Sequence, residues 1–257
     1  MNIPRLIPAL LLFLSVCTQA ADEEARKIVE QYLAEHNAQT ARVHIMPITD
    51  ETVSSIMPSH VCFAVLFPQF PVGIAAPAPL KSSNILAVKN GKVEAITDMA
   101  QLETFMKDNL KPVTNEREAR AAAYTWLRLS QELHQDGFLK FSIPETELAG
   151  DTNQASGKLV VEQNGGNKGD LSVTLRFSKG KLITAEEKGR IRPGIRPICQ
   201  ATKLTDPDPI VRKMAEKDIL VMGRSCREYL DEQRAKASPE VQQAIDRIWQ
   251  KILDEDW

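Results

Sequence analysis

The sequence predicts an α+β fold in which helices pack on antiparallel sheet. Three observations carry this. From Asn115 to His134, Ala119, Ala122, Trp126, Leu129 and Leu133 recur at steps of three and four, the period of a helix with an apolar face. Leu171, Val173, Leu175 and Phe177 alternate instead, the period of a strand with one dry face. Asn90-Gly91 stands between two strand-like runs, Asn84 to Lys89 and Lys92 to Ile96, and both turn residues accept the positive φ of a tight hairpin.

The chain begins with a leader pattern. Arg5, an apolar run from Leu6 to Val16 and the small-residue exit Thr18-Gln19-Ala20 form a secretory signal peptide over residues 1–20, cut after Ala20. This places the mature protein in the periplasm or outside the cell. Cys17 resembles a lipobox cysteine, but Val16 is too bulky for that box, so lipid anchoring is disfavoured. No later apolar stretch approaches the length of a membrane span. Of the 257 residues, 43% are hydrophobic and 26% charged, which excludes a disordered or collagen-like chain. A net charge of −2 supplies no general attraction to phosphate backbones and argues against a general nucleic-acid binder.

Two α+β units are expected, over residues 21–112 and 113–198, followed by a helical segment over 199–257. In the first unit, Ile28, Val29, Tyr32 and Leu33 mark an amphipathic helix, and Val43 to Met46 a short strand. His60 to Phe67 is apolar on both alternating faces, so it reads as a central strand covered on both sides. Pro68 to Leu80 holds four prolines and reads as an extended loop. Asp98 caps a helix through Asn109 with Gln101 in capping-box position. The second unit opens with the Asn115 helix, ended at Gly137, and continues as a meander of strands over Gly157 to Gln163, Asp170 to Phe177 and Lys181 to Glu187. The shared helix-then-hairpins order makes a degenerate duplication conceivable. Gly189 to Pro197 reads as an extended strap carrying Arg190, Arg192 and Arg196. The chain is helical from Asp208, and Ser238-Pro239 opens the last helix.

A helix lying across antiparallel sheet resembles cystatin or NTF2-like packing, a likeness of architecture that implies no function. Leu204-Thr205-Asp206-Pro207-Asp208-Pro209-Ile210-Val211-Arg212-Lys213-Met214-Ala215, running on to Ile219 and Gly223, resembles the second half of a HEAT repeat. Ser238-Pro239-Glu240-Val241 repeats the turn and the valine, with Gln242 in place of the arginine. The resemblance implies that Asp208 caps a helix and that Val211, Met214, Ala215 and Ile219 face inward. With at most two repeats it implies a helical cap docked on the α+β body. The whole chain also resembles exported bacterial proteins that end in such helices, which names no activity. Tyr229, Leu230, Trp249, Ile252 and Leu253 carry more apolar surface than two short helices hide, so this end is expected to bury it on the body or on a partner.

Three cysteines remain after the leader, Cys62, Cys199 and Cys226. Cys62 is expected to be buried and free. Cys199 and Cys226 are candidates for a disulfide, which by loop closure would stabilise by about 3–4 kcal/mol. His60 and Cys62 share a strand face, a geometry open to a thiolate–imidazole pair, although an apolar run usually holds its cysteine as a buried thiol. Asp206-Pro207-Asp208 lacks the remainder of a calcium loop. His36, His44 and His134 have no zinc spacing. No catalytic, cofactor-binding or metal-binding residue is assigned. Arg190, Arg192 and Arg196 are candidate contacts for an anion or an acidic partner, with ion pairing to Glu186 and Glu187 as the plainer reading. The leading function is non-enzymatic binding of another exported protein or a small ligand. The alternative is a secreted hydrolase-like enzyme whose site joins residues distant in sequence.

Overall fold

The computed structural model describes residues 23–69, 73–163, 167–194 and 201–254, and confirms the α+β class. A first helix, α1, covers 23–35. Sheet A follows in the order β1 (His44–Pro47), β2 (Val61–Leu66), β3 (Ser83–Lys89) and β4 (Lys92–Ile96), all antiparallel. Between β1 and β2 lies α2 (Glu51–Ile56), which is absent from the sequence reading. Asp50 makes this short helix by accepting from the N–H groups of Thr52 and Val53 at 2.9 and 3.1 Å.

Next come α3 (Met99–Asn109) and α4 (Glu116–Leu133). Their caps follow one plan. Asp98 accepts from the Gln101 N–H, and Asn115 from the Glu118 N–H, each at 3.0 Å. The reciprocal bond lands one residue earlier than a capping box puts it. Gln101 takes the Thr97 N–H and Glu118 takes the Thr114 N–H, at 2.7 and 2.8 Å.

Sheet B holds β5 (Phe141–Ser142), β6 (Ala149–Gly150), β7 (Gln154–Val161), β8 (Lys168–Ser178) and β9 (Lys181–Arg192). Its main path is β5-β7-β8-β9, with β6 paired to β7. β9 runs five residues beyond the expected Glu187, so Gly189 to Arg192 belong to the sheet and not to a strap.

These pieces stack in four layers. Alternate residues of β2 and β3 send Phe63, Val65, Leu86 and Val88 toward Val29 and Leu33 of α1. The opposite face, with Cys62, Ala64, Ile85 and Ala87, meets α2, α3 and α4. α4 then presents its other side to Leu159, Leu171, Val173 and Leu175 of sheet B. Ala119, Ala122, Ala123, Trp126, Leu127 and Leu129 are all buried, because α4 lies between two sheets and is covered nearly all round. Gly157 permits the approach. A Cβ there would stand 2.8 Å from side-chain carbons of Leu127 and Leu148. One buried cluster therefore crosses the boundary between the units at 21–112 and 113–198.

The C-terminal helices are α5 (Pro209–Met222), α6 (Arg227–Lys236) and α7 (Pro239–Asp254). Asp208 caps α5 through the Ile210 N–H at 2.8 Å. Two expectations are corrected. Met214 is 62% exposed, as Ile210 is 68%, while Ala215, Ile219 and Met222 take the inward face. Leu230 and Ile252 are buried within the segment's own core with Ile245 and Ile248, since three helices and the short turn over Ala201–Thr205 enclose what two would leave open. Among the described residues, Phe138 is the side chain of the body packed against that core.

Candidate functional site

The hairpin that Asn90-Gly91 closes builds the edge of a cleft. Asn90 and Gly91 both hold positive φ, 50° and 74°, so the turn is tight and sets Lys89 directly opposite Lys92. Two residues further, Glu94 lies opposite Ala87, and Ala87 lies opposite Cys62 on the next strand. The small Ala87 side chain leaves room above it. Asp108 and Asn109, at the end of α3, close one side, and His60, just before β2, closes another. The cleft so formed has a volume of about 530 Å³.

Its electrostatics follow from partial burial. His60 stacks edge-on against Phe105, with ring centres 5.2 Å apart, and its Nδ1 lies 3.1 Å from Ser59 Oγ. Burial, then the charge of Lys89, lowers the His60 pKa, so the ring is neutral at neutral pH. Burial and the charge of Asp108 raise the Glu94 pKa, with Lys89 opposing them. Lys89 Nζ also donates to Asn109 Oδ1 at 3.4 Å. The cleft thus offers two ammonium groups, two carboxyl groups and a neutral imidazole over an apolar floor.

Cys62 lies beneath this cleft as a free, buried thiol. Burial, helped by the negative charge of Glu94, pushes its pKa up to about 12. A thiol held so firmly protonated is no nucleophile at neutral pH, so the chemistry of the His60–Cys62 pairing falls to His60 and the carboxylates.

A second constellation joins the two elements facing each other across the lower core. Trp126, Ser130 and His134 lie four residues apart on one face of α4. Trp126 Nε1 and Ser130 Oγ donate to Glu187 Oε2 at 3.0 and 2.7 Å, and His134 Nε2 meets Oε1 at 3.1 Å. Burial pushes the Glu187 pKa up, but these side-chain hydrogen bonds outweigh it and leave the pKa lowered. All its bonds are made with the protein, so this carboxylate serves as an anchor of sheet B on α4. Tyr124 does the same for α2, donating to Asp50 Oδ2 at 2.7 Å.

The residues singled out in the sequence are dispersed. Arg190 and Arg192 stand exposed on the outer face of β9, and Arg196 and Cys199 lie outside the described residues. The expected pairing with Glu186 and Glu187 is replaced: Lys188 holds Glu186 at 2.8 Å, and Glu187 turns inward to α4. Cys226 is a buried free thiol that donates to Gly223 O at 3.0 Å, and burial raises its pKa to about 11. Among the described residues, no three His, Cys, Asp or Glu side chains are placed to hold a metal ion, and no helix is long and apolar enough to cross a membrane. Sequence reasoning missed Lys89, Lys92, Glu94 and Asp108. The signal for the first three was present, because a two-residue hairpin fixes which residues oppose each other. No known protein family, characterised protein or solved structure matches this chain.

Proposed function

We propose that this is an exported, non-enzymatic binding protein that holds a small zwitterionic molecule, of the amino acid or short peptide class, in the hairpin cleft. The leader pattern of Met1 to Ala20 supports export. The observation that carries the binding reading is the cleft itself, whose volume lies within the range of small-molecule sites and whose walls hold both signs of charge. Lys89 and Lys92 face the ligand's carboxylate, while Asp108 and Glu94 face its ammonium group. The HEAT-like helices act in this reading as a separate module behind the body. The test is calorimetric titration with a panel of amino acids and dipeptides, repeated on Lys92→Glu and Asp108→Asn. The reading expects saturable binding of zwitterions that both variants weaken. Zwitterion binding indifferent to both variants, or the absence of any binding, contradicts it.

The meeting of Glu94 and Asp108 in one cleft favours one further reading, the hydrolase-like enzyme assembled from distant residues. Glu94, whose pKa burial raises, would act as the acid, with Asp108 placed beside it as the base. Turnover of a bound dipeptide, lost in Glu94→Gln with binding retained, would favour it over simple capture.

A further inference from the structure

We propose that the open edge of β9 takes an extended acidic segment of a partner protein by strand addition. β9 ends the path β5-β7-β8-β9, so one side of its backbone has no strand beside it. At Ala185 that side is occupied, the N–H donating to Glu103 Oε1 of α3 at 3.2 Å. This is a carboxylate bound on a strand-edge amide, the contact that an acidic partner would repeat. Beyond it, among the described residues, the backbone of residues 186–192 makes no hydrogen bond outside its ladder with β8. At 12 residues β9 is a long edge, and Lys188, Gly189, Arg190 and Arg192 on it are exposed. Edges of that length invite pairing unless something covers them.

The charge pattern says what covers this one. On the outer face Arg192 stands directly opposite Lys168, and Arg190 opposite Asp170. The Asp170 carboxylate is drawn to Lys158 at 3.3 Å, so Lys168, Arg190 and Arg192 have no ion pair among the described residues. Like charges directly across a ladder destabilise it. A strand laid beside β9 with carboxylates at alternate positions sets them next to Arg190 and Arg192 and relieves that repulsion. Its other positions fall on the side of Ile191, which packs against the main core, so they suit apolar residues. A nucleic acid fits less well, because phosphates offer acceptors only, whereas a strand edge alternates donors and acceptors.

The probe is a fluorescently labelled peptide alternating Glu and Val, followed by anisotropy at low salt. A second peptide of the same sequence carries methyl groups on alternate backbone nitrogens, which keeps the charge and blocks the ladder. The proposal expects saturable binding of the first and loss of binding with the second. It expects Arg190→Glu with Arg192→Glu to weaken binding about tenfold or more, since two exposed charge contacts are reversed. Both side chains are exposed, so that variant should melt with the wild type. Lys168→Glu, on β8, should weaken binding by a smaller factor. No binding, equal binding of the methylated peptide, indifference to the charge reversals, or displacement by duplex DNA at matching concentration would each overturn the proposal. So would a dimer that the same reversals dissociate, because a second copy would then own the edge.

Discussion

Sheet A and sheet B are both antiparallel but face different surroundings. Sheet A is covered twice, by α1 on one side and by α2, α3 and α4 on the other, so β2 and β3 are buried almost throughout. Sheet B is covered once. Leu171, Val173, Leu175 and Phe177 face α4, while Ser172, Arg176 and Ser178 face water. The difference shows where chemistry has room. In sheet A the charged groups of β3 and β4 gather at the hairpin end, where they line a cleft, while Ser83 and Asn84 at the other end of β3 are buried and bonded to backbone carbonyls. In sheet B they spread along an open face and an unpaired edge.

The largest effect should come from the doubly covered sheet. Phe63→Ala, in the centre of β2, should cost about 3–5 kcal/mol, whereas Arg176→Ala on the wet face of β8 should stay within about 0.5 kcal/mol. Chemical denaturation measures both, and equal costs would erase the distinction.

The anchor between sheet B and α4 comes next. Glu187→Ala leaves the Trp126 and Ser130 donors without their acceptor, at a cost of about 3 kcal/mol. The sign of its pH dependence follows from the lowered pKa. The Glu187 carboxylate stabilises fully above the pKa of an unfolded glutamate, and this contribution fades as pH falls through the lower folded value. The gap between wild type and variant should therefore narrow in acid.

A third comparison sets the body against the helical end. Trp249 is half-buried under the Arg227 guanidinium, which lies 4.7 Å from the ring centre. Because this segment has its own core, Trp249→Ala should remove about 2 kcal/mol from α5, α6 and α7 while leaving α4 protected. Hydrogen exchange resolves the two regions. Equal loss of protection in α4 would mean the cores are coupled.

What the sequence revealed follows the same division. The double coverage of β2 was legible because Val61 to Leu66 offers no polar face, and the hairpin because Asn90-Gly91 has one favoured geometry. The single dry face of β8 was legible from its alternation. The short α2 was not, since Glu51, Thr52, Ser54 and Ser55 give no apolar period and only the Asp50 cap marks it. Met214 was misplaced because a repeat pattern assigns its inward face by position, and the neighbours here differ. The meeting of the hairpin with Asp108 and His60, and the Glu187 anchor, were invisible for a plainer reason. They join residues dozens of positions apart, and local spacing shows the donors on α4 without showing their acceptor on β9.

The smallest predicted effect concerns the cleft. Glu94 has a raised pKa, so its contribution to stability is complete below the pKa of an unfolded glutamate and is lost as pH rises through the folded value. Glu94→Gln should thus match the wild type in acid and exceed it near neutral pH by a few tenths of a kcal/mol, on the order expected after solvent screening. Melting curves across that range decide it. A variant less stable than wild type near neutral pH would mean that Glu94 is held by attraction and not strained by its surroundings.

The measurement closest to the central claim is a backbone amide NMR titration of the protein with amino acids and dipeptides. The account predicts saturable shifts at residues 89–94, at 108 and 109, and around His60, with the outer face of sheet B and the C-terminal helices unmoved. Shifts that never saturate, or that saturate on sheet B or on the C-terminal helices while the hairpin stays still, would contradict it.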